Sequence, residues 1–242
     1  FNAFMELSEF VSNKKNIVYP PLEVTNIPEE YKVFLKPFDL IMVNSDYIKD
    51  VLETLDFSLK NIVKWNTYID IFDSEKLKCG KHFPFILDTY KVKIISAFDY
   101  NSRSSRKNAE SNLFVLRQLS SLYPENLFIL KTVNKSNTSN EYLSCINSNL
   151  VEINETLSDL DFAKLLSCSD VYLSQHRSEG YGRICAEAMG YGALFVGTGN
   201  TGVLEYADSS NSILLENEVA TVKPWEYPST TKYSTWGEID PY

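Results

Sequence analysis

The chain has 242 residues, 44% of them apolar, and a formal net charge of −9. That length allows one large domain or parts of two, with ample material for a core. The acidic balance argues against a general nucleic-acid or anionic-membrane binder, so a phosphate site would need a local concentration of cations.

In chain order, turn signals at Pro20, Pro21 and Pro28 precede a helix start at Pro28-Glu29-Glu30. FDLIMVNS reads as a buried strand ending at Ser45, a good N-cap for the helix DYIKDVLETLDF. NIVKW is a short strand, and the aperiodic stretch from Asn66 to Tyr90 reads as an interdomain connection. From there the rhythm is regular. KVKIISAF is a strand, KNAESNLFVLRQLSSLY a helix, and NLFILKTV a strand. KSNTSN is a polar loop whose end caps a helix through CIN. NLVEI is a strand, and LSDLDFAKLLSCSD a helix capped by Ser158 with Asp161 three residues on. DVYLSQ, ALFVG and SILLE complete the strands. Alternating helices and apolar strands predict an α/β fold with a parallel sheet covered on both faces and ligands at the strands' carboxyl ends.

One such end carries EGYGRICAEAMGYG, where Glu179 and Glu187 are separated by seven residues. Glu179 falls in the turn after a strand, at the mouth of a helix that stops at Gly190 and Gly192, and Glu187 about two helical turns further on. A helix N-terminus suits a phosphate, and flanking carboxylates can accept hydrogen bonds from sugar hydroxyls. By itself the pattern is also that of an ordinary α/β turn with a helix-forming glutamate.

The string SQHRSEGYGRICAEAMGYGALFVGTGNTGVLE resembles the nucleotide-sugar-dependent retaining glycosyltransferases of the GT-B fold. Their hallmark is glutamate–glycine–aromatic–glycine, then glutamate–alanine–methionine, then glycine. The resemblance implies that Glu179 serves the donor sugar, with Gly180, Tyr181 and Gly182 in the same turn, and that Glu187 holds the ribose hydroxyls. Arg183 departs from the family, which usually has an aliphatic residue there. Similarity extends upstream: FDLIMVNSDYIKDVLETLDFSLKNIVKWNTYIDIFDSEK looks like the end of the family's N-terminal domain and its crossing into the C-terminal one. It implies two Rossmann-like parts: residues 1–88, the end of the acceptor-side domain and the connection, and 89–242, the donor-binding domain. The family's earlier strands and closing C-terminal helices are not in this sequence, so the chain is expected to be a piece of a longer enzyme that transfers little sugar by itself.

SAFDYNSRSSRKN follows the first strand of the second part and carries Arg103, Arg106 and Lys107. Basic residues before a helix are often a solvated turn. The resemblance instead implies that Lys107 takes the donor diphosphate. The family's arginine position holds Asn101 and Ser102, so Arg106 or Arg103 supplies the second cation. An arginine beside a lysine can stabilise a diphosphate leaving group without a metal. The loop with Asn154, Glu155 and Thr156 is where the family contacts the base, though it is equally a plain strand-to-helix turn. His176 reads as a hydrogen-bonded supporting group, and Arg177 as a phosphate or carboxylate partner.

Gly197, Gly199 and Gly202 formally satisfy the dinucleotide fingerprint G-x-G-x-x-G, but VLEYADSSN is too short for the usual crossover helix. In the glycosyltransferase reading, Gly199, Asn200, Thr201 and Gly202 face the donor, and Glu205 matches a common acidic position. The implied reaction moves a hexose from a UDP- or GDP-sugar to a hydroxyl acceptor, such as a glycan, with retention. No further cofactor and no metal is expected. The alternatives are a truncated or non-catalytic nucleotide-sugar-binding module and, less favoured, an NAD-dependent oxidoreductase. A glycosidase needs two carboxylates ~5–9 Å apart across an open cleft. Cys79, Cys145, Cys168 and Cys185 show no C-x-x-C spacing, and His82 and His176 are the only histidines. A zinc cluster is therefore not expected, and a reduced, cytoplasmic setting fits best. No run approaches the roughly 20 apolar residues of a membrane span, and no signal peptide is visible.

Overall fold

The computed structural model describes residues 14–55, 61–73, 77, 83, 86, 89–134, 148–227 and 230–239. His82, Cys79, Cys145 and the helix expected through CIN lie outside them. The first strands are β1 (Ile17–Val18), β2 (Leu40–Val43) and β3 (Ile62–Lys64), all parallel in the order β1-β2-β3. Helix α1 (Glu30–Leu35) lies between β1 and β2, and α2 (Asp46–Glu53) follows β2. As the sequence predicts, Ser45 caps α2, its hydroxyl accepting from the Ile48 amide at 3.2 Å.

The larger sheet has six parallel strands: β4 (Lys93–Asp99), β5 (Leu127–Val133), β6 (Leu150–Asn154), β7 (Val171–Ser174), β8 (Leu194–Thr198) and β9 (Ser212–Leu215). Their spatial order, β6-β5-β4-β7-β8-β9, reverses direction between β4 and β7, and that crevice is the ligand-binding position of a doubly wound sheet. The central strands β4, β5 and β7 read as apolar runs because both faces are covered, whereas Ile213 of the edge strand β9 is exposed. Ile94 and Phe98 of β4 pack with Leu113 and Leu116 of α4 (Ala109–Leu122). On the opposite face Ile95 and Ala97 share a core with Leu165 and Leu166 of α5 (Asp159–Ser167) and Ala188 of α6 (Arg183–Gly190). Fully buried side chains such as Leu116 and Phe195 each contribute roughly 1.5–3 kcal/mol.

Two features depart from the sequence expectation. The helix after β4 is broken: a one-turn α3 (Ser104–Lys107) precedes α4, and Asn108 between them has φ +50°. Asparagine tolerates this left-handed geometry, and the Asn112 amide holds the break by donating to the Lys107 and Asn108 carbonyls, both at 2.9 Å. Second, an unanticipated antiparallel ribbon forms from β10 (Glu218–Thr221) and β11 (Thr235–Glu238). Val222, Tyr227 and Trp236, in and around it, pack into the core of the smaller sheet with Val24, Leu35 and Ile41. Cys168 is disulfide-bonded, against the expectation of reduced thiols. Cys185 is free and buried, and burial pushes its thiol up to about 12. No helix among the described residues is long and apolar enough to cross a membrane.

Candidate donor-binding site

The site is assembled where β4 and β7 diverge. The break at Asn108 ends α3 and leaves Arg106 and Lys107 on a tight turn beside the chain leaving β7. The Arg106 carbonyl accepts from the Arg177 amide at 2.8 Å, and Asn112 Oδ1 accepts from the Gln175 amide at 3.0 Å. Glu179 then meets both cations. Lys107 Nζ bonds one carboxylate oxygen, and Arg106 Nη1 lies 3.1 Å from the other. Arg106 also donates to the Ser178 carbonyl at 2.8 Å and the Ser102 carbonyl at 3.3 Å. Glu179 is 6% exposed and Arg106 4%. Burial alone would raise the Glu179 carboxyl, but the Lys107 and Arg106 charges more than reverse that and hold it at about 2. A buried carboxylate stays ionised when charge partners outweigh desolvation.

The turn carrying Glu179 is braced on three sides. Its amide donates to Thr201 Oγ1 at 3.0 Å, and its carbonyl accepts from the Gly202 amide at 2.8 Å. Gly202 has to be glycine, because a Cβ there would sit 2.0 Å from the Gly180 carbonyl oxygen. The Ser45 hydroxyl donates to that same carbonyl at 2.6 Å, so the cap of α2 also ties the smaller sheet to this turn. Gly182, at φ +79°, starts α6 and accepts from the Tyr206 hydroxyl at 2.7 Å, while the Tyr181 ring lies 5.1 Å from that of Tyr206.

Glu187, on α6, lies apart from this cluster and lines a cavity of about 310 Å³ with Asp159 and Phe162 of α5 and with Arg183. Arg183 Nε donates to Glu187 at 2.6 Å, so the residue that departs from the hallmark holds the second glutamate. Asp159, Phe162 and Ile184 also line an adjoining cavity of about 190 Å³ at the carboxyl ends of β4 and β5, where Thr156 and Lys131 lie. Thr156 lines it, and Asn154, Glu155 and Thr156 are all exposed. Lys131 Nζ donates to the Thr132 carbonyl at 2.9 Å and the Glu155 carbonyl at 2.5 Å, and burial lowers its pKa.

The other sequence-chosen residues are placed as follows. Arg103 is exposed, with φ +62°, and makes none of the contacts to Glu179. The amides of Gly199 and Asn200 bond the Leu215 and Thr198 carbonyls, whereas that of Gly202 bonds the Glu179 carbonyl. The segment after Gly202 is a short 3-10 helix, Thr201–Glu205, where a dinucleotide fold would need a crossover helix. Arg177 takes a carboxylate, Glu238 of β11, through Nε at 2.5 Å and Nη2 at 2.9 Å. His176 is wholly buried with Nδ1 3.2 Å from Ser174 Oγ, and burial lowers its pKa to about 4. Glu205 joins the two sheets: it accepts from the Asp46 amide at 2.5 Å and pairs with Lys64 at 2.9 Å. No group of three or more potential metal ligands occurs among the described residues.

Sequence reasoning missed Glu23, which lies 2.9 Å from Arg106 Nε, because nothing local marks it. It also missed Lys131, although a lysine inside the apolar run NLFILKTV was a usable signal.

No protein-family model and no curated protein matches the chain. Solved structures do. The pneumococcal O-GlcNAc transferase GtfA, in complex with UDP and GlcNAc, aligns over 83% of this chain and 41% of its own, with 17% identity and a TM-score of 0.61. The G117R mutant of TarM of S. aureus, in complex with fondaparinux, alpha-GlcNAc-glycerol and UDP, aligns over 87% and 42%, with 15% identity and a TM-score of 0.63. HepE of Anabaena, in complex with UDP and glucose, aligns over 88% and 61%, with 16% identity and a TM-score of 0.62. The chain has the fold of the retaining GT-B glycosyltransferases. It spans about two-fifths to three-fifths of the length of these GT-B proteins. The GT-B comparison puts the β4–β7 crevice in context: it is the carboxyl-end position at which a sheet of this topology binds ligands.

Proposed function

We propose that the chain is the nucleotide-sugar-binding part of a retaining glycosyltransferase, taking a UDP- or GDP-sugar whose hexose passes to a hydroxyl acceptor. The observation that carries this reading is the joining of Lys107, Arg106 and Glu179 at the β4–β7 crevice, with Glu187 lining a separate cavity on the same motif's helix. In the proposal Lys107, with Arg106 behind it, receives the diphosphate and stabilises the charge that develops as the sugar leaves. Glu179 faces the donor sugar, and Glu187 the ribose hydroxyls. Asn154, Glu155 and Thr156 border the base. The lysine and arginine supply positive charge without a metal. UDP in the complexes of GtfA, TarM and HepE supports a UDP-sugar over a GDP-sugar.

The division at residue 88 is part of the proposal, with the qualification that the β10–β11 segment packs against the first part. A cytosolic setting belongs to it too, and the Cys168 disulfide weighs against that element. A second reading, a module that binds donor without transfer, is favoured by one observation: the chain spans only about two-fifths to three-fifths of the length of the GT-B proteins it matches. Calorimetric titration with UDP, GDP, UDP-glucose, UDP-GlcNAc and NAD tests the binding claim. Saturable UDP or GDP binding without added metal is expected. Binding of NAD alone would overturn the reading. Transfer by the chain with a sugar acceptor, read by anomeric NMR, separates enzyme from module.

A further inference from the structure

Arg106 has a second carboxylate partner that the donor-site reading does not use. Glu23 lies in the segment between β1 and α1, on the smaller sheet's side of the molecule, with Oε2 2.9 Å from Arg106 Nε. The Tyr227 hydroxyl donates to the same oxygen at 3.1 Å. We propose that Glu23 is an anionic placeholder for the donor diphosphate: its carboxylate occupies the guanidinium of Arg106, and a diphosphate binding there must displace it. This rests on the nucleotide-sugar reading above and adds to it a competition between the ligand and a residue of the other sheet.

Geometry marks Glu23 as the replaceable partner. The other contacts of Arg106 are the Ser178 and Ser102 carbonyls and Glu179, all on the larger sheet's side. Buried Arg106 Nε has no hydrogen-bond acceptor in line although Glu23 Oε2 is close, so this contact is an ion pair without a directed bond, whereas the Ser178 and Ser102 carbonyls accept directed bonds and Glu179 is also held by Lys107. The Glu23 contact is held by charge more than by direction, and directed bonds are the stronger kind. The charges agree. Arg106 and Lys107 face Glu179 and Glu23, two cations against two carboxylates, so the assembled cluster is neutral and has little attraction for a dianion. Moving Glu23 away leaves one net positive charge. Of the two glutamates, Glu179 is held firmly ionised, whereas burial pushes the Glu23 carboxyl up, opposed by Arg106, Lys107 and the Tyr227 hydroxyl and reinforced by Glu179.

The test compares UDP and uridine binding by the wild-type chain and by Glu23→Gln, which keeps the shape and removes the charge. Glu23→Gln should bind UDP about tenfold or more tightly, on the order of one relieved like-charge contact at partial burial, with uridine affinity unchanged. Without nucleotide the variant should melt at a lower temperature, because Arg106 loses a counter-charge, yet show a larger upward shift with UDP. A merely structural role would lower the melting temperature and weaken both ligands. Glu23→Asp keeps the charge and should bind UDP like the wild type; a tenfold gain there would attribute the effect to loosened packing and overturn the proposal. If Glu23→Gln fails to fold, Tyr227→Phe removes the bond that holds Glu23 and should raise UDP affinity about two- to threefold; a loss overturns the proposal. Wild-type UDP binding left unchanged by Glu23→Gln would overturn the placeholder role alone. If neither protein bound UDP or GDP, the donor-site reading would fall and this one with it.

Discussion

The two glutamates of one motif sit in opposite environments. Glu179, in the turn before α6, is buried between Lys107 and Arg106. Glu187, about one turn into α6, accepts a hydrogen bond from the exposed side chain of Arg183 and lines a cavity. The same carboxylate is thus a buried ion-pair partner at one end and part of a cavity wall at the other. The difference follows from what the chain packs against each: β4, α3 and the smaller sheet crowd Glu179, while α5 stands back from Glu187. A substitution at Glu179 should therefore register in folding as well as chemistry, and one at Glu187 in binding.

The largest test of that contrast is Glu179→Ala. It leaves Arg106 and Lys107 without their shared counter-ion, and breaking a buried pair costs roughly 3–5 kcal/mol. Urea unfolding should report a loss of that order, whereas Glu187→Ala should cost under about 1 kcal/mol as a partly exposed pair. Equal losses would erase the distinction.

Acid should act on the Glu179 region in a defined window. Its folded pKa of about 2 lies below the ordinary glutamate value of 4.5, so its contribution is present above 4.5 and lost as pH falls toward 2. His176 is buried neutral, with a folded pKa of about 4 against 6.5, so stability it preserves at neutral pH is lost between 6.5 and 4. Each shift corresponds to roughly 3 kcal/mol at most. Urea midpoints should fall from pH 6.5 downward, in two stages, and His176→Asn should remove the upper stage. A midpoint that stayed flat from pH 7 to 4.5 would contradict the burial of His176.

Lys107→Ala sharpens the comparison on the ligand side. It should weaken UDP by roughly 1.5–3 kcal/mol, as for one charge-assisted hydrogen bond, and leave uridine nearly unaffected. Equal weakening of both would remove Lys107 from the phosphate. The smallest effect is expected for Glu187→Ala, about 1 kcal/mol, and it should fall equally on UDP and uridine because the ribose is common to both. A loss confined to UDP would place Glu187 near the phosphates instead.

The sequence made most of the larger sheet readable. Its central strands are continuous apolar runs because both faces are covered, and Ser45 and Ser158 announce their helices by hydroxyls that satisfy otherwise unpaired amides. The resemblance to the GT-B enzymes selected Glu179, Glu187 and Lys107. The helix expected from Lys107 onward begins instead at Ala109, since periodicity cannot register a single left-handed residue such as Asn108. The β10–β11 ribbon escaped notice because its short strands alternate weakly and owe their burial to Val24, Leu35 and Ile41, far away in the chain.

What the amino-acid order determined by itself was local: which segments become strands and helices, where they are capped, and that a glutamate pair brackets a glycine turn. Those properties depend on residues within a turn or two of one another. Tertiary structure alone decided that Lys107 reaches Glu179 across 72 positions of chain, that Glu23 and Tyr227 converge on Arg106, and that Gly202 admits the Gly180 carbonyl. Burial and charge pairing act through space, so the state of Glu179 became definite only when the two sheets closed around it.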